Sequence, residues 1–138
     1  MQKTFRIRQY IKYIIHAENE FSLHSPFLFK FYTNVIKRKN DKKSSKKEQL
    51  IYNINKTFPD FQVINPCIQT NYQQIEEITQ NDKTIIILDD IHANKANHNV
   101  WENIVACNRK FITIDLFHLG ILIYNTDIFF PQNFILRF

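Results

Sequence analysis

The chain has 138 residues, a formal net charge of +5 and a single glycine, Gly120, where average usage of about 7% would supply roughly ten. That scarcity excludes the glycine-rich phosphate loops of P-loop NTPases and dinucleotide-binding folds, which need several glycines for positive φ and for close backbone approach to the ligand. The 44% apolar content, with 13 Phe and 6 Tyr, excludes an unfolded chain and fits a single packed domain.

Tyr10, Ile11, Ile14 and Ile15 recur at helical spacing and predict an amphipathic helix ending near Asn19, with its apolar face packed on the core. Lys3, Arg6, Arg8 and Lys12 interrupt any leader-type apolar segment there. Ser25 followed by Pro26 predicts the start of a second helix running to Lys39, because Ser accepts an orphan amide hydrogen bond and Pro has no amide to lose. Residues 37–47 hold seven Lys/Arg and one Asp, a local +6 that leaves −1 for the rest of the chain. Basicity is therefore local, and the apolar-free segment 40–47 predicts a solvated linker. Leu50, Ile51, Ile54 and Phe58 mark a third helix that Pro59 stops.

Beyond this point strands and helices alternate. Strands are predicted at 61–65, 84–88, 111–124 and 134–138, and helices at 72–79 and 97–107. The run Thr84-Ile-Ile-Ile-Leu88 has the continuous apolar character of a strand buried on both faces. The expected fold class is α/β: amino-terminal helices packed on a small, mostly parallel four-stranded sheet with an antiparallel last strand. Gly120 falls inside the long strand, where glycine marks a bulge or a close backbone approach. The organisation is one domain, with a helical cap at 1–39, a basic linker at 40–47 and an α/β part at 48–138. The longest apolar stretch, 111–124, carries Asp115 and His118 and falls short of the roughly 20 residues a membrane helix requires, so no membrane partner is expected. Cys67 and Cys107 lack zinc-ligand spacing, which predicts free thiols in a reducing cytoplasm.

The densest polar group is Asp89-Asp90-Ile91-His92, at the carboxyl end of the most apolar strand, the edge where open α/β sheets bind ligands. Asp89, Asp90 and His92 are the candidate catalytic residues, as acid and base, and Asp89 with Asp90 is the candidate pair for a divalent metal. The competing account makes one Asp a turn cap and leaves the others solvated. His16, His24, His98 and His118 have no i, i+4 histidine or nearby Cys that would mark a metal site and are expected to be structural. Lys42, Lys43, Lys46 and Lys47 form a candidate anion site. No aromatic interleaves them to stack on bases, which speaks against nucleic acid and favours a mobile, solvated loop.

A resemblance adds to this. Tyr10-Ile-Lys-Tyr13 with Asn19-Glu-Phe-Ser-Leu-His-Ser-Pro-Phe27 resembles the amino-terminal signature of a bacterial family of class I S-adenosylmethionine-dependent methyltransferases, akin to O-methyltransferases. Leu88-Asp-Asp-Ile-His92, Trp101-Glu-Asn-Ile104, Thr113-Ile-Asp-Leu-Phe117, Gly120 and Phe134-Ile-Leu-Arg-Phe138 resemble its carboxyl-terminal half. The resemblance implies a Rossmann-like fold with S-adenosylmethionine as the cofactor. It also implies that strands one to three, with the glycine-rich loop and the acidic residue that hold the cofactor, are missing, and that 61–65 corresponds to the fourth strand. Asn65 stands where such enzymes often carry an acidic residue, which weakens a third metal ligand beside Asp89 and Asp90. The implied protein is truncated and without autonomous methyl transfer. One alternative is a metal-assisted site around Asp89, Asp90 and His92 completed by a second copy or a partner chain at an exposed sheet edge; another is an interaction module that binds anions or nucleic acid through Lys37–Lys47.

Overall fold

The computed structural model describes residues 2–18, 25–39, 44–68, 72–78, 83–125 and 131–138. In chain order the elements are α1 (Gln2–His16), α2 (Pro26–Phe31) continuing as a π-helical turn (Tyr32–Ile36), α3 (Lys46–Thr57), β1 (Gln62–Ile64), α4 (Tyr72–Ile78), β2 (Lys83–Asp89), α5 (Lys95–Cys107), β3 (Ile112–Asp115), β4 (Leu119–Asn125) and β5 (Gln132–Ile135). The fold is mixed α/β. One five-stranded sheet has the order β1-β2-β4-β3-β5. β1 runs parallel to β2, β4 runs antiparallel to both β2 and β3, and β5 is parallel to β3.

The apolar strands divide their side chains between two cores. Ile85, Ile87, Ile121 and Ile123 pack with Leu28, Phe31, Val35, Leu50 and Ile54 of α2, its π-helical extension and α3. Ile86, Leu88 and Leu122 pack with Trp101 and Ile104 of α5 and Ile75 of α4 on the opposite face. This is the burial that a continuous Ile/Leu run dictates: alternate side chains need a helical cover on each face. The expected cap forms, with the Leu28 amide donating to Ser25 Oγ, and a second serine, Ser45, caps α3 by accepting the Glu48 amide at Oγ.

The sheet corrects the sequence expectation in three ways. Residues 111–124 are not one strand but the hairpin β3–β4, so the sheet has five strands rather than four. The chain reverses at Leu116–His118, where Asp115 Oδ1 accepts the Phe117 amide at 2.8 Å and Phe117 takes a φ of 70°. The antiparallel strand is therefore β4, inserted between β2 and β3, and the closing strand is parallel. The second helix also stops at Ile36, before the expected Lys39, and Lys46 and Lys47 belong to the first turn of α3 rather than to a linker.

α1 forms as expected, but of its expected apolar face Tyr10 meets the fold while Ile11, Ile14 and Ile15 are exposed. None of its residues is buried, and Ile7, Ile11 and Ile15 are 61%, 54% and 70% exposed. The helix meets the rest of the fold through Phe5, Tyr10 and Tyr13, which contact His98 and Phe117. Periodicity identifies an apolar stripe but not the surface it lies on. Ile11→Ser is accordingly expected to change unfolding free energy by no more than about 0.5 kcal/mol. A core isoleucine would cost about 2–5 kcal/mol on truncation to alanine, so a denaturant melt distinguishes the two placements.

Candidate functional site

The three residues singled out at the end of β2 separate in the fold. Asp89 Oδ2 accepts Lys47 Nζ at 2.9 Å and Asn65 Nδ2 at 3.2 Å. Asn65 also donates to the Ile87 carbonyl, so its amide tethers β1 to β2, while Lys47 supplies the positive charge that pairs with Asp89. Asp90 is exposed and adopts a left-handed φ of 55°, which Asp tolerates better than most residues. Its amide donates to the His118 carbonyl, and its own carbonyl accepts Asn97 Nδ2, so its backbone joins three segments at the strand end. Among the described residues, no three His, Cys, Asp or Glu side chains are grouped so as to hold a metal ion.

His92 turns into the fold and builds a different cluster. Its side chain is 6% exposed, and Nε2 lies 2.6 Å from Asp115 Oδ2. Its Nδ1 lies 2.9 Å from His98 Nδ1. The strand ends bring them together, since Asp115 closes β3, His92 follows β2, and His98 sits in the first turns of α5 behind the Asn94 cap. Phe117 packs against the His92 ring, and Tyr10 and Tyr13 pack against Phe117, which closes the cluster beneath α1. A cleft of about 260 Å³ opens over it, with Gln9, Lys12, Tyr13, His16 and Glu102 in its walls. The chain matches no protein-family model, no curated protein and no solved structure.

Two proton placements satisfy these contacts. With Asp115 ionised and both imidazoles neutral, His92 donates through Nε2–H, its Nδ1 accepts Nδ1–H of His98, and the Nε2 lone pair of His98 faces the cleft. With His92 carrying both protons, its Nδ1–H donates to His98, and His98 presents Nε2–H toward Glu102 Oε1, 4.0 Å away. The first placement is a relay that ends in a proton acceptor. Burial, followed by the neighbouring His92, lowers the pKa of His98 below 6.5, so its free form is the one present at neutral pH. Burial also pushes the Tyr13 phenol far above its ordinary range, keeping the hydroxyl as a donor to the Leu136 carbonyl.

His118 is likewise lowered below 6.5, first by burial and then by Arg6, whose guanidinium lies 3.2 Å from its Nδ1. Both histidines prefer the neutral form when folded, whereas the unfolded chain takes up their protons near pH 6.5. Their contribution is complete above that pH and is lost as pH falls from about 6.5 through the lower folded values. Chemical denaturation between about pH 7.5 and 5 is expected to show stability falling with pH, with a shallower slope in the His98→Gln variant.

Sequence reasoning identified His92 but missed Asp115 and His98 as its partners. One signal was present: Asp115 closes the apolar strand β3 just as Asp89 closes β2. Of the basic candidates, Lys42 and Lys43 lie outside the described residues, Lys47 is paired with Asp89, and Lys46 Nζ lies 4.8 Å from the centre of the Phe138 ring. Among the described residues, Cys67 and Cys107 are exposed and form no disulfide. No helix among the described residues is long and apolar enough to cross a membrane.

Proposed function

We propose that the chain is a methyltransferase-like α/β protein that keeps the substrate side of a class I S-adenosylmethionine-dependent methyltransferase fold and does not transfer methyl groups by itself. The observation that carries this reading is the position of β1. Among the described residues β1 pairs with β2 alone, as the edge of the sheet. In doubly wound folds the order 3-2-1-4-5-6 puts strand one beside strand four. If β1 is the fourth strand of the resemblance, the sheet ends where strands one to three would continue. The one glycine supports the same reading, because it lies within β4 against Trp101 and not in a loop after a strand. Isothermal titration with S-adenosylmethionine is expected to give no binding heat up to about 1 mM, and a micromolar Kd would overturn the reading.

One observation favours a second reading, in which the site becomes an enzyme when another chain completes it. The Asp115–His92–His98 contacts are already assembled, and in the placement with both imidazoles neutral His98 Nε2 suits removal of a proton from a substrate hydroxyl, the step that precedes O-methyl transfer. Among the described residues β1 is the edge strand of the sheet, and a sheet edge is a template for a further strand. Light scattering that shows a strict monomer at all concentrations, with no partner recovered on β1, would remove this reading.

A further inference from the structure

The basic character of residues 37–47 reappears in the fold as a cleft that their sequence alone does not describe. Lys37, Arg38 and Lys39 follow the π-helical turn, Lys46 opens α3, and Arg137 arrives after β5 from the far end of the chain. All five line one cleft of about 420 Å³, and no carboxylate side chain is among its described lining residues. Buried hydrogen bonds fix its walls. Asn53, 2% exposed, donates through Nδ2 to the carbonyls of Val35 and Arg38. The hydroxyl of buried Tyr32 donates to the Arg137 carbonyl at 2.9 Å. The rest of the lining is largely apolar, including Leu50 and Phe138.

We propose that this cleft binds a small organic phosphate, a molecule with two or more negative charges and an apolar or aromatic part. Five cationic side chains around one concavity repel each other, and low-dielectric walls concentrate their field, so a polyanion gains where a neutral molecule does not. The volume lies within the roughly 300–1,000 Å³ of small-molecule sites. Arg and Lys together supply the charge-assisted hydrogen bonds that phosphate oxygens accept, and the half-buried Phe138 ring gives the remainder of the ligand an apolar surface. A single-stranded nucleic acid would instead need an extended groove with successive stacking rings, whereas this cleft has one aromatic side chain, Phe138, already beneath Lys46. The proposal is independent of the methyltransferase reading, because none of its residues belongs to the His98 relay.

The test is isothermal titration of the full chain at low salt with inorganic pyrophosphate, ADP and a single-stranded oligonucleotide. ADP is expected to bind with 1:1 stoichiometry and more tightly than pyrophosphate, with an affinity that falls as salt rises. The double variant Lys46→Gln, Arg137→Gln is expected to weaken ADP binding by at least about tenfold. The charge-matched pair Lys56→Gln, Lys95→Gln, exposed and outside the cleft, should stay within about twofold of the parent. Circular dichroism melts check each fold. If Arg137→Gln unfolds the protein, Lys46→Gln alone is expected to weaken ADP by about threefold. The proposal is overturned if neither small probe binds at about 1 mM, if both double variants bind ADP equally, or if the oligonucleotide binds more tightly than ADP.

Discussion

Replacing Asp115 with leucine is expected to lower the unfolding free energy by about 3 kcal/mol, while asparagine at the same position should cost no more than about 1 kcal/mol. Asp115 is 8% exposed and accepts two hydrogen bonds, Oδ2 from His92 and Oδ1 from the Phe117 amide. Leucine fills the volume but strands both donors, each at about 1–3 kcal/mol, and its own apolar burial offsets part of that loss. It also releases the turn that holds Phe117 at its left-handed φ, so the hairpin itself loses a tether. Asparagine can keep the amide bond to Phe117 through its carbonyl oxygen, but it presents Nδ2 to His92. The relay then has to reverse: His92 Nε2 becomes an acceptor, His92 Nδ1 donates to His98 Nδ1, and His98 carries its proton on Nε2. With both imidazoles neutral, nitrogen shifts measured by NMR should therefore report the Nδ1–H form of His98 in the parent and the Nε2–H form in Asp115→Asn. A fold that survives the asparagine substitution with unchanged histidine tautomers would mean that Asp115 is a structural acceptor without control over the relay.

Legibility in the sequence followed the range of the interactions. The helix starting at Ser25 and the buried strand β2 rest on local signals, a cap within three residues and a run of apolar side chains, whereas the Ser45 cap lay inside the stretch read as a linker. The hairpin turn was hidden because Asp115 is the one turn residue of Asp115-Leu-Phe-His118 and sits inside a long apolar run. Asp115 Oδ1 accepts the amide of Phe117, two residues on, as turn aspartates do, and Phe117 takes the left-handed φ. For α1 the stripe was legible and its direction was not, because the aromatic contacts that orient the helix come from His98 and Phe117, far along the chain. The site divided along the same line. Asp89, Asp90 and His92 drew notice by adjacency, yet the working partner of His92 is Asp115, 23 positions away. Similarly, Arg137 joins the basic cleft only through the fold, whereas Lys47, next to Lys46, is taken up by Asp89.

Gly120→Ala is expected to destabilise the protein by about 3 kcal/mol, the upper end of the usual cost of overpacking, or roughly 10 °C in Tm for a chain of this size. Its backbone conformation is not the reason, since no glycine of the described chain has positive φ. Space is the reason. A Cβ built at Gly120 would lie 2.5 Å from Cζ3 of Trp101 and 2.9 Å from Cε3 and Cη2. Neither side can retreat. β4 is an inner strand, with Gly120 paired to Leu88 on one side and Asp115 on the other. Trp101 is 2% exposed and packs with Ile86, Leu88 and Leu122. If the clash with the indole causes the loss, shrinking the ring should return part of it. Trp101→Phe alone leaves a cavity and destabilises, but with Gly120→Ala the two costs should fall short of their sum by at least about 1 kcal/mol. Additive costs would place the strain elsewhere in β4. The expected coupling assigns the chain's one glycine to the seating of α5 on the sheet, and α5 carries His98, the end of the relay.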